Sequence, residues 1–217
     1  MIKILLAMKK KNTINFIALF ALVVAIATGC RKNNPDQPTP QTTAGVSIHG
    51  KEYATLAINN LVWTAENYAG PGGIQFSPTE NKPMYGKYYT YAEAQAITVP
   101  DGWRIPSRQD FIGMAQAVGI VFVNNRATHQ EVIKSLVSTT HWRTIPGTNA
   151  SGFNAYPAGY GFQDLLPRDG DIAEFWTIEG NSMSIQEGAD GKTHRISFYD
   201  NSASPDYRFN IRFVRNK

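Results

Sequence analysis

The chain has one cysteine, Cys30, and none in the 187 residues that follow it. A domain built from those residues can hold no disulfide, no zinc-thiolate site and no cysteine nucleophile, so its stability must come from an ordinary apolar core. Residues 30–217 suit one domain, which can bury roughly two-thirds of the surface of its unfolded chain. Aromatic residues make up 12% of the sequence and supply that core generously.

The segment before Cys30 reads as a signal. Phe16 to Ala27 is a twelve-residue run without charge, shorter than the ~20 residues that span a bilayer. Lys9, Lys10 and Lys11 precede it, and Met8 heads a more usual basic start than Met1 does. Ala27-Thr28-Gly29-Cys30 resembles a bacterial lipobox, with small residues before a cysteine whose thiol can carry a diacylglycerol. The expectation is a signal peptide over 1–29, lipidation at Cys30 and a membrane partner reached through that anchor. Arg31-Lys32 lacks the Asp of an inner-membrane retention signal and the acidic cluster linked with surface export, so the expected place is the outer membrane, facing the periplasm, with surface display as the alternative. Arg31 to Ala44, with three prolines and only one apolar side chain, reads as a tether.

The formal charge of +4 belongs to the signal. Removing Lys3, Lys9, Lys10 and Lys11 from 21 basic residues leaves 17, against 17 acidic ones. With no Lys/Arg cluster after Lys32, nucleic acid is not expected as a partner.

From residue 45 the sequence becomes globular. Val46 to Ile48, Tyr53 to Ile58 and Leu61 to Thr64 read as strands, the last two joined by an Asn59-Asn60 turn. Tyr88 to Ile97 reads as a first helix. A second starts at Pro106-Ser107, where Ser107 can cap free amides and Asp110 completes a capping box. His129 to Val137 gives a third. Thr193 to Tyr199 and Tyr207 to Val214 read as closing strands, and the alternation of Phe209, Ile211 and Phe213 with Asn210 and Arg212 predicts a half-buried one.

Six landmarks follow in order: Ile58 to Asn67 (INNLVWTAEN), Tyr85 to Thr90 (YGKYYT), Pro100 to Ser107 (PDGWRIPS), Ser151 to Tyr160 (SGFNAYPAGY), Phe175-Trp176-Thr177, and Phe209 to Arg215 (FNIRFVR). The series resembles the Fibrobacter succinogenes major paralogous domain, a family of exported, often lipid-anchored domains, over about residues 52 to 215. The resemblance implies an α+β, C-type-lectin-like fold: small antiparallel sheets, two to three short helices and long loops that carry whatever is recognised. Two departures stand out, Phe213 where the family often has Cys and Ile178-Glu179 where it prefers a small hydroxylic pair.

Trp63, Trp103 and Trp176 sit inside landmarks as core tryptophans do and are expected in the core, with Phe153 and Phe213. Trp142, between His141 and Arg143, is the tryptophan left for the surface, with burial as the alternative. The expected ligand-binding residues are Trp142, Tyr160, Asp164, Asp169, Asp171 and Glu174, on a loop-rich region from about Trp142 to Trp176. Asp169-Gly170-Asp171 is first of all a turn, matching neither an EF-hand nor a lectin calcium signature; no cofactor is expected, with calcium at Asp169 and Asp171 as the alternative. His129, His141 and His194 lack metal-ligand spacing, and no Gly-x-Ser-x-Gly elbow occurs. The expectation is therefore a non-enzymatic envelope domain that recognises a glycan or a protein, and the alternative is a hydrolase of envelope or dietary polysaccharide.

Overall fold

The computed structural model describes residues 41–201 and 203–217. The signal, Cys30 and residues 31–40 of the tether lie outside them. Three strands open the domain: β1 (Gln41–Ile48), β2 (Lys51–Ile58) and β3 (Leu61–Thr64). Both connections are two-residue turns. His49-Gly50 takes the first with φ of 49° and 76°, and Asn59 starts the second at φ 56°, the left-handed geometry that tight hairpins need. β1 begins four residues before Gly45, with Thr43 opposite Thr55 and a register shift before Val46. Gln41 to Ala44 are therefore strand rather than the end of the tether.

Two α-helices follow, α1 (Tyr91–Gln95) and α2 (Arg108–Ala117). Each starts on a reciprocal capping box, Thr90 with Glu93 and Ser107 with Asp110, which satisfies two otherwise orphaned amides. α1 is shorter than its sequence pattern. Tyr88 and Tyr89, expected inside it, are fully buried and bridge to Ile74 and Phe209. The third expected helix is a 3-10 segment, Glu131–Leu136.

The remaining strands are β4 (Arg126–Ala127), β5 (Gly161–Phe162), β6 (Ile172–Trp176), β7 (Asn181–Glu187), β8 (His194–Asp200), β9 (Tyr207–Arg208) and β10 (Val214–Asn216). They complete one sheet in the order β1-β2-β3-β10, a second in the order β4-β8-β7-β6, and a β5-β9 ribbon. Every strand pairing in these sheets is antiparallel. The architecture is α+β. β10 pairs with β3, Val214 opposite Trp63, so the last residues close the sheet that the first strands opened.

The main core gathers Trp63, Phe111, Phe153, Phe175, Met183, Ile185 and Ile196 between α2 and the second sheet. Trp63 lies 5.2 Å from Phe111 and 5.7 Å from Phe153, centroid to centroid. A second cluster holds Tyr68, Tyr89, Trp176, Phe209 and Phe213. Trp103, expected in the core, is only partly buried at its rim, with the Arg215 guanidinium 5.6 Å above its ring.

The segment from Phe209 to Phe213 departs most from its pattern. Asn210 and Arg212 are as buried as the aromatics between them, at 0% and 1% exposure. Arg212 donates to Asn67 Oδ1 (2.6 Å), Thr64 O (2.9 Å) and Asn154 O (3.3 Å), and its guanidinium lies 4.8 Å over the Phe153 ring. Asn210 Nδ2 donates to Tyr85 O and Lys87 O, and Asn67 Nδ2 also reaches Tyr85 O. Burial pulls the Arg212 guanidinium down to about 9. A buried charge is tolerated when its donors are met, and here four of the six landmarks meet to do so.

Candidate functional site

Most of the residues expected to bind a ligand are engaged in holding the fold. Trp142 is buried: His141 turns the chain at φ 71°, and the indole enters the core, donates from Nε1 to Ala155 O (3.2 Å) and meets the His194 ring edge-on at 4.7 Å. The polar neighbours that suggested exposure point outward while the tryptophan points in. Glu174 is also buried, at 5% exposure, on β6 opposite Ser184. Burial pushes its carboxyl up to about 8, which the Ser184 and Ser182 hydroxyls offset only in part. It is a neutral group inside the sheet rather than a surface ligand.

Asp169 and Asp171 do not converge on a common point for an ion. Asp169 Oδ2 accepts from Lys82 Nζ (2.8 Å) and the Tyr85 hydroxyl (2.6 Å), contacts that outweigh its burial and hold its carboxyl below the usual range. Asp171 pairs with Arg143 at 3.1 Å. Among the described residues no group of three or more His, Cys, Asp or Glu side chains is placed to hold a metal. Tyr160 and Asp164 are exposed. Asp164 lines a cleft of about 400 Å³ with Gln163, Asp206 and Arg208, three residues already engaged: Arg208 pairs with Glu93 outside the lining, and Gln163 with Asp206 within it.

In a different cleft most of the lining polar side chains have no hydrogen-bond or ion-pair partner among the described residues. It has a volume of about 480 Å³ and is lined by Arg108, Asn124, Asn125, Arg126, Asn181 and Tyr199, with Phe198 and Asp200 completing it. Four elements meet there. Asn124 and Asn125, at φ 49° and 63°, form a two-residue turn closed by paired backbone bonds between Val123 and Arg126. Arg126 enters β4 opposite Ser197 of β8, and Phe122 anchors the turn against Phe198 at 6.1 Å. Asn181 starts β7 opposite Asp200. Arg108 opens α2, its guanidinium 5.0 Å over the Phe198 ring. Among the described residues the side chains of Arg108, Asn124, Asn125, Arg126, Asn181 and Tyr199 make no hydrogen bond or ion pair.

An adjoining cleft of about 530 Å³ shares Asn124 and Arg126 and adds Val121 and Val123, 62% and 68% exposed. Both volumes fall within the ~300–1,000 Å³ common for ligand sites. The lining is mostly polar, which suits a hydroxyl-rich or charged ligand better than an apolar one.

None of these residues was singled out from the sequence as a site. The signal available was Asn124-Asn125 between Val123 and Arg126, the same paired-Asn sequence signal as Asn59-Asn60.

An α+β domain of two antiparallel sheets joined at its ends by buried landmark residues, with an open polar cleft at one sheet edge, defines the class. The chain belongs to the Fibrobacter succinogenes major domain family, whose model matches residues 56–215. No curated protein and no solved structure matches the chain.

Proposed function

We propose that this is a lipid-anchored, non-enzymatic domain of the bacterial outer membrane, C-type-lectin-like in fold, that binds a glycan through the cleft between α2, the Asn124-Asn125 turn and β8. Its anchor is Cys30 and its expected side is the periplasm. The observation that carries this reading is a set of six polar side chains around one cleft that make no hydrogen bond or ion pair among the described residues. Carboxamides and guanidiniums match the paired donors and acceptors of neighbouring sugar hydroxyls, and the partly exposed Tyr199 ring offers a face for sugar C–H groups. The cleft holds one carboxylate, Asp200, where glycoside hydrolysis by its usual route uses two.

The test is a glycan array probed with the detergent-solubilised full chain, run beside a hydrolysis screen on the same sugars. Retained binding without cleavage is expected, and Asn125→Ala should weaken it. Cleavage of a bound glycan would establish the hydrolase instead, and an array with no binder would remove the glycan reading.

A further inference from the structure

Resting on that reading, we infer that the cleft is selective for an acidic saccharide, one that carries a carboxylate or a sulfate. Arg108 and Arg126 line the same cleft, and neither makes an ion pair among the described residues. Elsewhere in the domain Arg104, Arg143 and Arg208 each face a carboxylate. Two guanidiniums around one cavity repel each other, and an anion held between them relieves that repulsion.

Within the lining the charge is unbalanced. Asp200 is the single acidic group in the lining, against two guanidiniums. Glu179 lies outside the lining, and its carboxylate is turned to the start of α2, where it accepts from the Arg108 backbone amide at 3.1 and 3.3 Å. The Phe198 ring covers one face of the Arg108 guanidinium at 5.0 Å and limits where that group can go. A guanidinium held against a ring presents its N–H donors as a planar fork, which matches the two oxygens of a carboxylate or sulfate.

The other polar groups account for the rest of a sugar. Asn124, Asn125 and Asn181 carry both donors and acceptors for ring hydroxyls, and the tight turn at 124–125 fixes two of them beside Arg126. An acidic monosaccharide unit needs both kinds of partner at once. An inorganic anion would use only the arginines.

The test uses the full chain in detergent and two matched pairs of probes, each a charged saccharide with its neutral counterpart: oligogalacturonate with its methyl ester, and dextran sulfate oligosaccharide with dextran oligosaccharide. Titration calorimetry should show the charged member of at least one pair binding about tenfold or more tightly than its neutral twin, a gap that shrinks as salt is raised. The pair that shows the gap tells carboxylate from sulfate. Arg108→Gln and Arg126→Gln should each remove most of that gap at an unchanged melting temperature, while Lys192→Gln, an exposed charge outside the cleft, should leave it in place. Equal binding of charged and neutral twins, or full binding by both arginine variants, overturns the acidic selectivity but leaves the glycan reading standing. If none of the four probes and no neutral glycan of the array binds, both fall together.

Discussion

The loops from Trp142 to Trp176 and the turn from Val121 to Arg126 are both rich in the residue types that recognition sites use, yet they differ in where those residues spend their bonds. In the first region Asp169 is bound by Lys82 and Tyr85, Asp171 by Arg143, and Trp142 and Glu174 are buried. In the second the polar side chains of Asn124, Asn125 and Arg126 have no partner among the described residues. Composition alone ranks the first region higher. Partner accounting reverses the ranking, because a group already satisfied by the fold has little left to offer a ligand.

The comparison breaks first if the buried network does not hold the fold. Arg212→Ala strips three carbonyl-type acceptors, Asn67 Oδ1, Thr64 O and Asn154 O, of their donor and opens a cavity beneath Phe153. The expected loss is about 4–5 kcal/mol, a large part of the roughly 5–15 kcal/mol that holds a domain. Urea denaturation measures it, and a loss below about 1 kcal/mol would mean that the landmarks do not meet as described.

Trp142→Ala is the next largest. Removing a buried indole and its bond to Ala155 O should cost about 3 kcal/mol, or roughly 6–12 °C in melting temperature. Glycan affinity of the folded fraction should not change. A variant that melted like wild type but bound more weakly would return Trp142 to the binding face and undo the contrast between the two regions.

How much of this was legible in the sequence depended on how local the deciding contacts were. The β1 to β3 meander follows from period-two patterning and an Asn-Asn turn. The α2 start follows from Ser107 and Asp110, three residues apart, which bond to each other. The Phe209 to Phe213 segment was misread because alternation implies one wet face, whereas its polar residues are satisfied by partners such as Asn67, 145 positions from Arg212 in the chain. Asp169 was misread for the same reason, its partners Lys82 and Tyr85 lying 87 and 84 positions away. The cleft was missed because its arginines come from α2 and from β4, and no local pattern brings those two elements together.

Two buried titratable groups on opposite faces of the second sheet, Glu174 and His194, give a smaller effect with a distinctive pH signature. Glu174, pushed up to about 8, keeps its proton in the fold and loses it from the unfolded chain near the usual carboxylate value. Its contribution is present below that unfolded value and is lost as pH rises through about 8. His194 works in the opposite sense: burial, only partly opposed by Glu187, Glu131 and Asp190, pushes it down to about 4, so its contribution is present above ~6.5 and is lost as pH falls through about 4. The two slopes oppose each other from about pH 4.5 to 6.5, and between about 6.5 and 8 only Glu174 remains. Across that upper interval wild type should lose stability relative to Glu174→Gln by up to about 1.4 kcal/mol per pH unit. Parallel urea midpoints for the two proteins from pH 6.5 to 8 would show that the carboxyl is not held neutral.

The smallest expected change in stability sharpens the open side of the comparison. Tyr199 is 39% exposed at the end of β8, and its side chain makes no hydrogen bond among the described residues. Tyr199→Ala should therefore stay within about 0.5 kcal/mol of wild type, as substitutions away from buried features do. Ligand binding should fall in the same variant by about tenfold, because an aromatic face that stacks on a ligand contributes on the order of 1–2 kcal/mol. The measurement is a melting curve and a binding titration on one preparation. Unchanged binding would remove Tyr199 from the cleft's recognition surface. A large drop in melting temperature would mean that this edge of the sheet is welded like the Trp142 region, and the distinction between a spent surface and a free one would no longer locate the site.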